Sequence, residues 1–247
     1  MIRSRFMRPA LAALSVGVAV IVSGCGQTTS GKARPAVAAP DACDAVVMFV
    51  LDVSLSMEAT DVDPSRLTVA KQAMKEYAYQ LAPDTNLGLV TFAGTASLMV
   101  TPTTDRAPFT NALDSVRLAE RTATGEGIFT ALTAIDTFSG IVPSAGSRRI
   151  ILLSDGKQTM PEDLNAARGA YTAAREANVE HIPVSTISLG TADGVVEIPE
   201  HSGSVKVPVP TDPDSLREIA RLSAGTSHTA TTLPQLTTTL GGLSCRR

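Results

Sequence analysis

The stretch at residues 45–57 reads AVVMFVL-DVSLSM, an apolar run followed by Asp52-Val53-Ser54-Leu55-Ser56-Met57. Seven apolar residues without polar alternation are the pattern of a strand covered on both faces, as inside a parallel sheet. The next residues differ in kind: a carboxylate directly past the strand, then two hydroxyls at alternate positions. In a loop that turns back on itself, Asp52, Ser54 and Ser56 can converge on one point. They are hard oxygen donors, suited to Mg²⁺, Mn²⁺ or Ca²⁺ rather than Zn²⁺.

Downstream, helical and strand patterns alternate. Asp63-Pro64 reads as an N-cap with proline at N1, followed by Leu67, Ala70, Met74, Tyr77, Ala78 and Leu81 at helical spacing, and Pro83-Asp84 ends that helix. Residues 87–92 form a second strand and 97–101 a short one at or near an edge, and Asp105 caps a helix through Phe109, Leu113 and Val116. Residues 121–127 read as a loop, with helical spacing resuming at Ile128. Then come strands at 149–153, 182–189 and 226–230 and helices at 162–178, 212–222 and 233–240. This alternation predicts an α/β fold of Rossmann-like, doubly wound type, with a mostly parallel central sheet flanked by helices. Residues 193–210 (DGVVEIPEHSGSVKVPVP) are the least regular insertion and read as a hairpin or loop.

Such sheets bind ligands beyond the carboxyl ends of their strands. Two further loops fall on that edge. One is Arg121-Thr122-Ala123-Thr124-Gly125-Glu126-Gly127, which opens a helix; the other is Leu153-Ser154-Asp155-Gly156, which follows a buried strand. Alone, the first is a capping sequence and the second a turn. Together with the Asp52 loop they make three oxygen-bearing loops on one rim.

The three loops resemble those of a von Willebrand factor A domain with a metal ion-dependent adhesion site, and the likeness runs over residues 46–240. By that resemblance Asp52, Ser54 and Ser56 are the first metal-binding loop, Thr122 in TATGEGIFTAL the second-loop threonine (with Thr124 as the alternative register), and Asp155 in LSDG the third-loop aspartate. The implied cofactor is a divalent cation, Mg²⁺ before Mn²⁺ or Ca²⁺, and the implied partner is a protein offering an Asp or Glu carboxylate. The segments LDVSLSMEATDVDPSRLTVAKQAM and VPVPTDPDSLREIARLSAGTSHTA also resemble aerotolerance-type (Bat) bacterial membrane proteins, which are usually held by transmembrane helices.

Upstream of the domain, Arg3, Arg5 and Arg8 precede an apolar run at 10–22, the form of an export leader and short for a spanning helix. Val22-Ser23-Gly24-Cys25 resembles the bacterial lipobox, which implies acylation of Cys25 and a lipoprotein on the extracytoplasmic face of the cell membrane. The expected organisation is a signal peptide at 1–24, a Gly/Ser/Thr/Ala/Pro-rich tether at 25–42 and the domain at 43–247. Two cysteines then remain, Cys43 and Cys245, flanking the folded region. In an exported chain they are expected to form a disulfide.

Other function classes fit less well. A net charge of −3 gives no basic footprint for nucleic acid. Phosphatase-like chemistry at Asp52 wants a second carboxylate two residues on, where Ser54 stands. No G-x-S-x-G elbow occurs, and His181, His201 and His228 are scattered. Gly125-x-Gly127 lacks a third glycine and does not follow the first strand, so it does not read as a nucleotide loop. The expectation is a binding protein, not an enzyme; a metal-dependent hydrolase and a cation-independent ligand-binding lipoprotein are the alternatives.

Overall fold

Strand β1 (Val46–Asp52) lies in the interior of a six-stranded sheet, and every one of its residues is buried. The computed structural model describes residues 46–141, 146–200 and 203–244. Val47, Phe49 and Leu51 enter one core, and Val46, Met48 and Val50 the other. The apolar run is therefore the two-sided burial of an interior parallel strand.

The other strands are β2 (Asn86–Phe92), β3 (Ala96–Thr103), β4 (Arg148–Ser154), β5 (Val184–Leu189), β6 (Val195–Glu200), β7 (Gly203–Pro208) and β8 (Ser227–Ala230). Six of them form one sheet in the order β3-β2-β1-β4-β5-β8. All pairings in it are parallel except that of β3, an antiparallel edge strand. Strands β6 and β7 form a separate antiparallel hairpin, which is the irregular insertion of the sequence. Helices α1 (Arg66–Gln80), α2 (Ala107–Ser115) and α6 (Leu233–Leu243) cover one face. Helices α3 (Thr124–Ile141), α4 (Ala170–Val179) and α5 (Pro213–Leu222) cover the other. The fold is the expected α/β arrangement, a mostly parallel central sheet between helical layers. The chain order reverses at β1, between β2 and β4, and a doubly wound sheet opens its ligand crevice at such a point.

Three boundaries differ from the sequence expectation. The first helix is capped by Ser65, whose Oγ accepts the Thr68 amide at 3.2 Å, and not by Asp63. Helix α3 begins at Thr124, so Gly125 and Gly127 belong to its first turns. There they permit close packing: a Cβ on Gly125 would stand 2.2 Å from the Arg168 carbonyl, and one on Gly127 2.8 Å from Val50. Helix α4 starts only at Ala170, because Asp163 Oδ1 accepts the Asn165 amide at 2.9 Å and holds the preceding segment in turns. Among the described residues no helix is long and apolar enough to cross a membrane. The leader, tether, Cys25, Cys43 and Cys245 lie outside the described residues.

Candidate metal centre

Asp52 closes β1 and is wholly buried. Its Oδ1 accepts the Ser54 amide at 2.8 Å, and its Oδ2 accepts the Ser154 hydroxyl at 2.6 Å. A single 3₁₀ turn (Leu55–Glu58) then reverses the chain, and the Ser54 and Ser56 hydroxyls come within 2.9 Å of each other. The alternate spacing read in the sequence thus places both hydroxyls on one side of the turn.

The second loop is laced onto this one. Ala119 donates to the Val53 carbonyl at 2.9 Å, and Ala123 to that of Ala93 at 2.6 Å. Thr122 receives the Thr159 and Met160 amides at its carbonyl, 2.8 and 3.1 Å away, and its own amide bonds Thr159 Oγ1 at 2.9 Å. In the third loop, Gly156 adopts φ +100°, a conformation that favours glycine. It donates to Ser154 Oγ at 2.9 Å, and the Asp155 carbonyl accepts the Asp212 amide at 2.7 Å. Ser54, Ser56, Thr122 and Asp155 line one cleft of about 210 Å³, with Asp52 beneath them. Four of the five residues singled out in the sequence thus line one cleft, and the fifth, Asp52, bonds the amide of Ser54. Thr124 stands two residues on, buried in the start of α3, and does not line the cleft.

Sequence reasoning missed the buried charge behind the site. Arg66 is completely buried. Its Nε and Nη2 each bond Asp61 at 2.8 Å, and its Nη1 reaches Asp155 Oδ2 at 3.1 Å. Asp61 also accepts the Thr191 amide and hydroxyl, at 2.6 and 2.9 Å. Asp61 is thus the partner of Arg66. A lone arginine in a helix is normally a surface residue, so periodicity gave no signal of this.

A family model for the von Willebrand factor type A domain matches residues 47–158. The chain carries a von Willebrand factor type A domain. It is 56% identical over 201 residues to the UPF0353 protein of Nocardia farcinica, an alignment covering 78% of this chain and 60% of that protein. It is 50% identical over 195 residues to the UPF0353 protein of Mycobacterium tuberculosis, covering 78% of this chain and 57% of that one. The matched region is thus about 60% or less of the length of these relatives. Among solved structures, BatB from Bacteroides thetaiotaomicron is similar with a TM-score of 0.66 and 26% identity, covering 80% of this chain and 95% of that one. The aerotolerance-type likeness read from the sequence therefore extends to the fold.

The donor set of this A domain fits a hard divalent cation. Among the described residues no three His, Cys, Asp or Glu cluster; the cleft offers two carboxylates and hydroxyls instead. Asp155 Oδ1 is buried without a well-formed hydrogen bond, although the Ser56 hydroxyl and Lys157 amide lie near enough to stabilise its charge. Burial, and next the Asp155 charge, push the Asp52 carboxyl up to about 7 from its ordinary 3.8, against the pull of hydrogen bonds from Ser154 and Ser54. Burial raises Asp155 as well, offset in part by Ser56 and Arg66. Burial would also raise Asp61, but its bonds from Arg66 and Thr191 outweigh this and hold it low.

The A domain should respond to pH accordingly. A carboxylate must shed its proton to take a cation, so affinity is expected to fall by up to about tenfold per unit as pH drops below about 7. The metal-free fold should behave in the opposite sense. Asp52 binds its proton more tightly folded than unfolded, so this stability is complete below 3.8 and is lost as pH rises through about 7. Asp61, held below 3.8, acts outside that window. Mg²⁺ titrations at about pH 6 and 8, beside thermal melts in EDTA at about pH 5 and 8, check both. An affinity that stays flat would exclude Asp52 as a ligand.

Proposed function

We propose that this chain is an exported, lipid-anchored protein whose A domain binds a divalent cation and, through it, a carboxylate of a protein partner. The observation that carries the reading is the oxygen set of the cleft: three hydroxyls above two buried carboxylates, one of them with an unpaired oxygen. Two buried like charges side by side are costly, and Arg66 bonds only the Asp155 side of the pair, so Asp52 is left to gain from a cation. When bound, the ion supplies an anchoring point for an anionic oxygen. Ser54, Ser56 and Thr122 are neutral donors, so they leave much of that charge for a partner's Asp or Glu. Mg²⁺ suits such a site, since it keeps several waters and takes few protein carboxylates. The same features favour binding over catalysis, because Ser54 stands where a phosphatase-type site places its second carboxylate.

Export and anchoring rest on the leader and the Val22–Cys25 motif, and pairing of Cys43 with Cys245 on their positions either side of the domain. The test is capture from membrane extract by the full chain. A partner should be retained in Mg²⁺ and released by EDTA. Mass spectrometry of the exported chain should find acyl groups on Cys25 and a linked Cys43–Cys245 peptide pair. Capture indifferent to EDTA, or small-ligand binding without any cation, would favour a cation-independent lipoprotein instead.

A further inference from the structure

The cleft holds two cations that the metal centre does not use. Arg121 and Lys157 line it beside Ser56, Thr122 and Asp155, and both are exposed. Among the described residues neither meets a carboxylate, whereas Lys75, Arg168, Lys206, Arg217 and Arg221 do. Arg121 is also held in an unusual backbone conformation, with φ 70°. Residues with side chains seldom occupy that region, and such residues concentrate at functional loops. Bonds on either side keep it there: Gly94 donates to the Glu120 carbonyl and Thr122 to Thr159 Oγ1, each at 2.9 Å. The Arg121 guanidinium touches Met160 Sδ at 2.8 Å. Sulfur is a weak acceptor, so most of the five-donor fork is free for a carboxylate.

The rest of the lining differs in character. It includes Pro208, Val209 and Pro210, at the foot of the β6–β7 hairpin. The two prolines have no N–H, and that of Val209 is spent on the Gly194 carbonyl at 2.8 Å. The lining therefore combines two cationic side chains with an apolar stretch that has no backbone donor to offer. With Asp52 and Asp155 compensated by a divalent ion, Arg121 and Lys157 have no counter-charge of their own. A cleft of one sign favours ligands of the other.

The geometry points to a partner segment bearing two acidic side chains, one directed to the cation and the second held between Arg121 and Lys157. This rests on the reading that the cleft holds a cation and accepts a carboxylate. A segment with a single acid would leave both basic groups unmatched, and a basic segment would be repelled.

The test uses an array of short synthetic peptides carrying one or two aspartates at every spacing, probed with the full chain in Mg²⁺ and in EDTA. In Mg²⁺ the best two-acid peptides should bind about tenfold more tightly than single-acid ones, the scale of two partly exposed ion pairs. An Arg121→Gln/Lys157→Gln variant, its fold checked by circular dichroism, should lose that preference and bind both kinds alike. The inference is overturned if the wild-type chain shows no preference, if the preference survives in the variant, or if no peptide is retained. EDTA separates the two ideas. Binding abolished by EDTA without any two-acid preference would leave the cation reading standing and this one refuted. A preference that needs Arg121 and Lys157 but ignores EDTA would refute the cation reading and, with it, the assignment of the first acid to the cation.

Discussion

Asp52→Ala is expected to abolish divalent-cation binding, weakening it by more than the roughly 10–100-fold typical of losing an outer partner of a metal site. The carboxylate sits at the end of the central strand with both oxygens fixed, one by the Ser54 amide and one by the Ser154 hydroxyl. Alanine removes the charge and leaves two buried donors unmatched, at about 1–3 kcal/mol. Against that loss, it also removes a buried negative charge that Asp155 repels. The domain should therefore stay folded. Asp52→Asn separates the two effects, since its amide oxygen still accepts the Ser54 amide while the charge is gone. In EDTA near pH 8 it should melt no lower than wild type, yet bind no cation. Calorimetry with Mg²⁺ and Mn²⁺ reads the first property and thermal melting the second. Unchanged affinity in either variant would mean that the cation site lies elsewhere.

The parts of this centre that the sequence made legible share one property: their geometry is set locally. Asp52, Ser54 and Ser56 follow a strand that the apolar run announces, and a single turn brings them together. Asp155 follows another such strand, and Thr122 precedes a helix whose glycines mark it. Their joint position follows from the parallel topology, which puts the ends of β1 and β4 side by side. Ser154 stands in the same Leu153–Gly156 loop, yet nothing local marks it, because a strand-end serine has no local reason to bond a residue 102 positions away. The displaced cap of the first helix is of the same origin. Asp63 and Ser65 are equally good caps by residue type, and only the Thr68 amide decides between them.

Arg66 is where long-range chemistry dominates, and its loss should have the largest effect on folding. Arg66→Leu would leave Asp61, one-tenth exposed, and Asp155, almost wholly buried, without their shared cation. Removing one partner of a buried ion pair costs about 3–5 kcal/mol, because the remaining charge stays uncompensated. That is a large share of the roughly 5–15 kcal/mol that holds a typical domain together. Arg66→Lys should restore little. An ammonium group cannot fork onto both Asp61 oxygens and also reach Asp155 and the Val209 carbonyl, which Arg66 Nη2 meets at 3.0 Å. Two rescues distinguish this electrostatic account from lost packing. Adding Asp61→Asn to Arg66→Leu should recover part of the stability, since one stranded carboxylate is then neutral. Saturating Mg²⁺ should raise the melting temperature of Arg66→Leu by more than that of wild type, because a cation at the centre takes over the charge of Asp155 that Arg66 no longer matches. If neither rescue is seen in denaturant and thermal unfolding, the arginine serves the core by its bulk, and its contact with Asp155 is incidental to the centre.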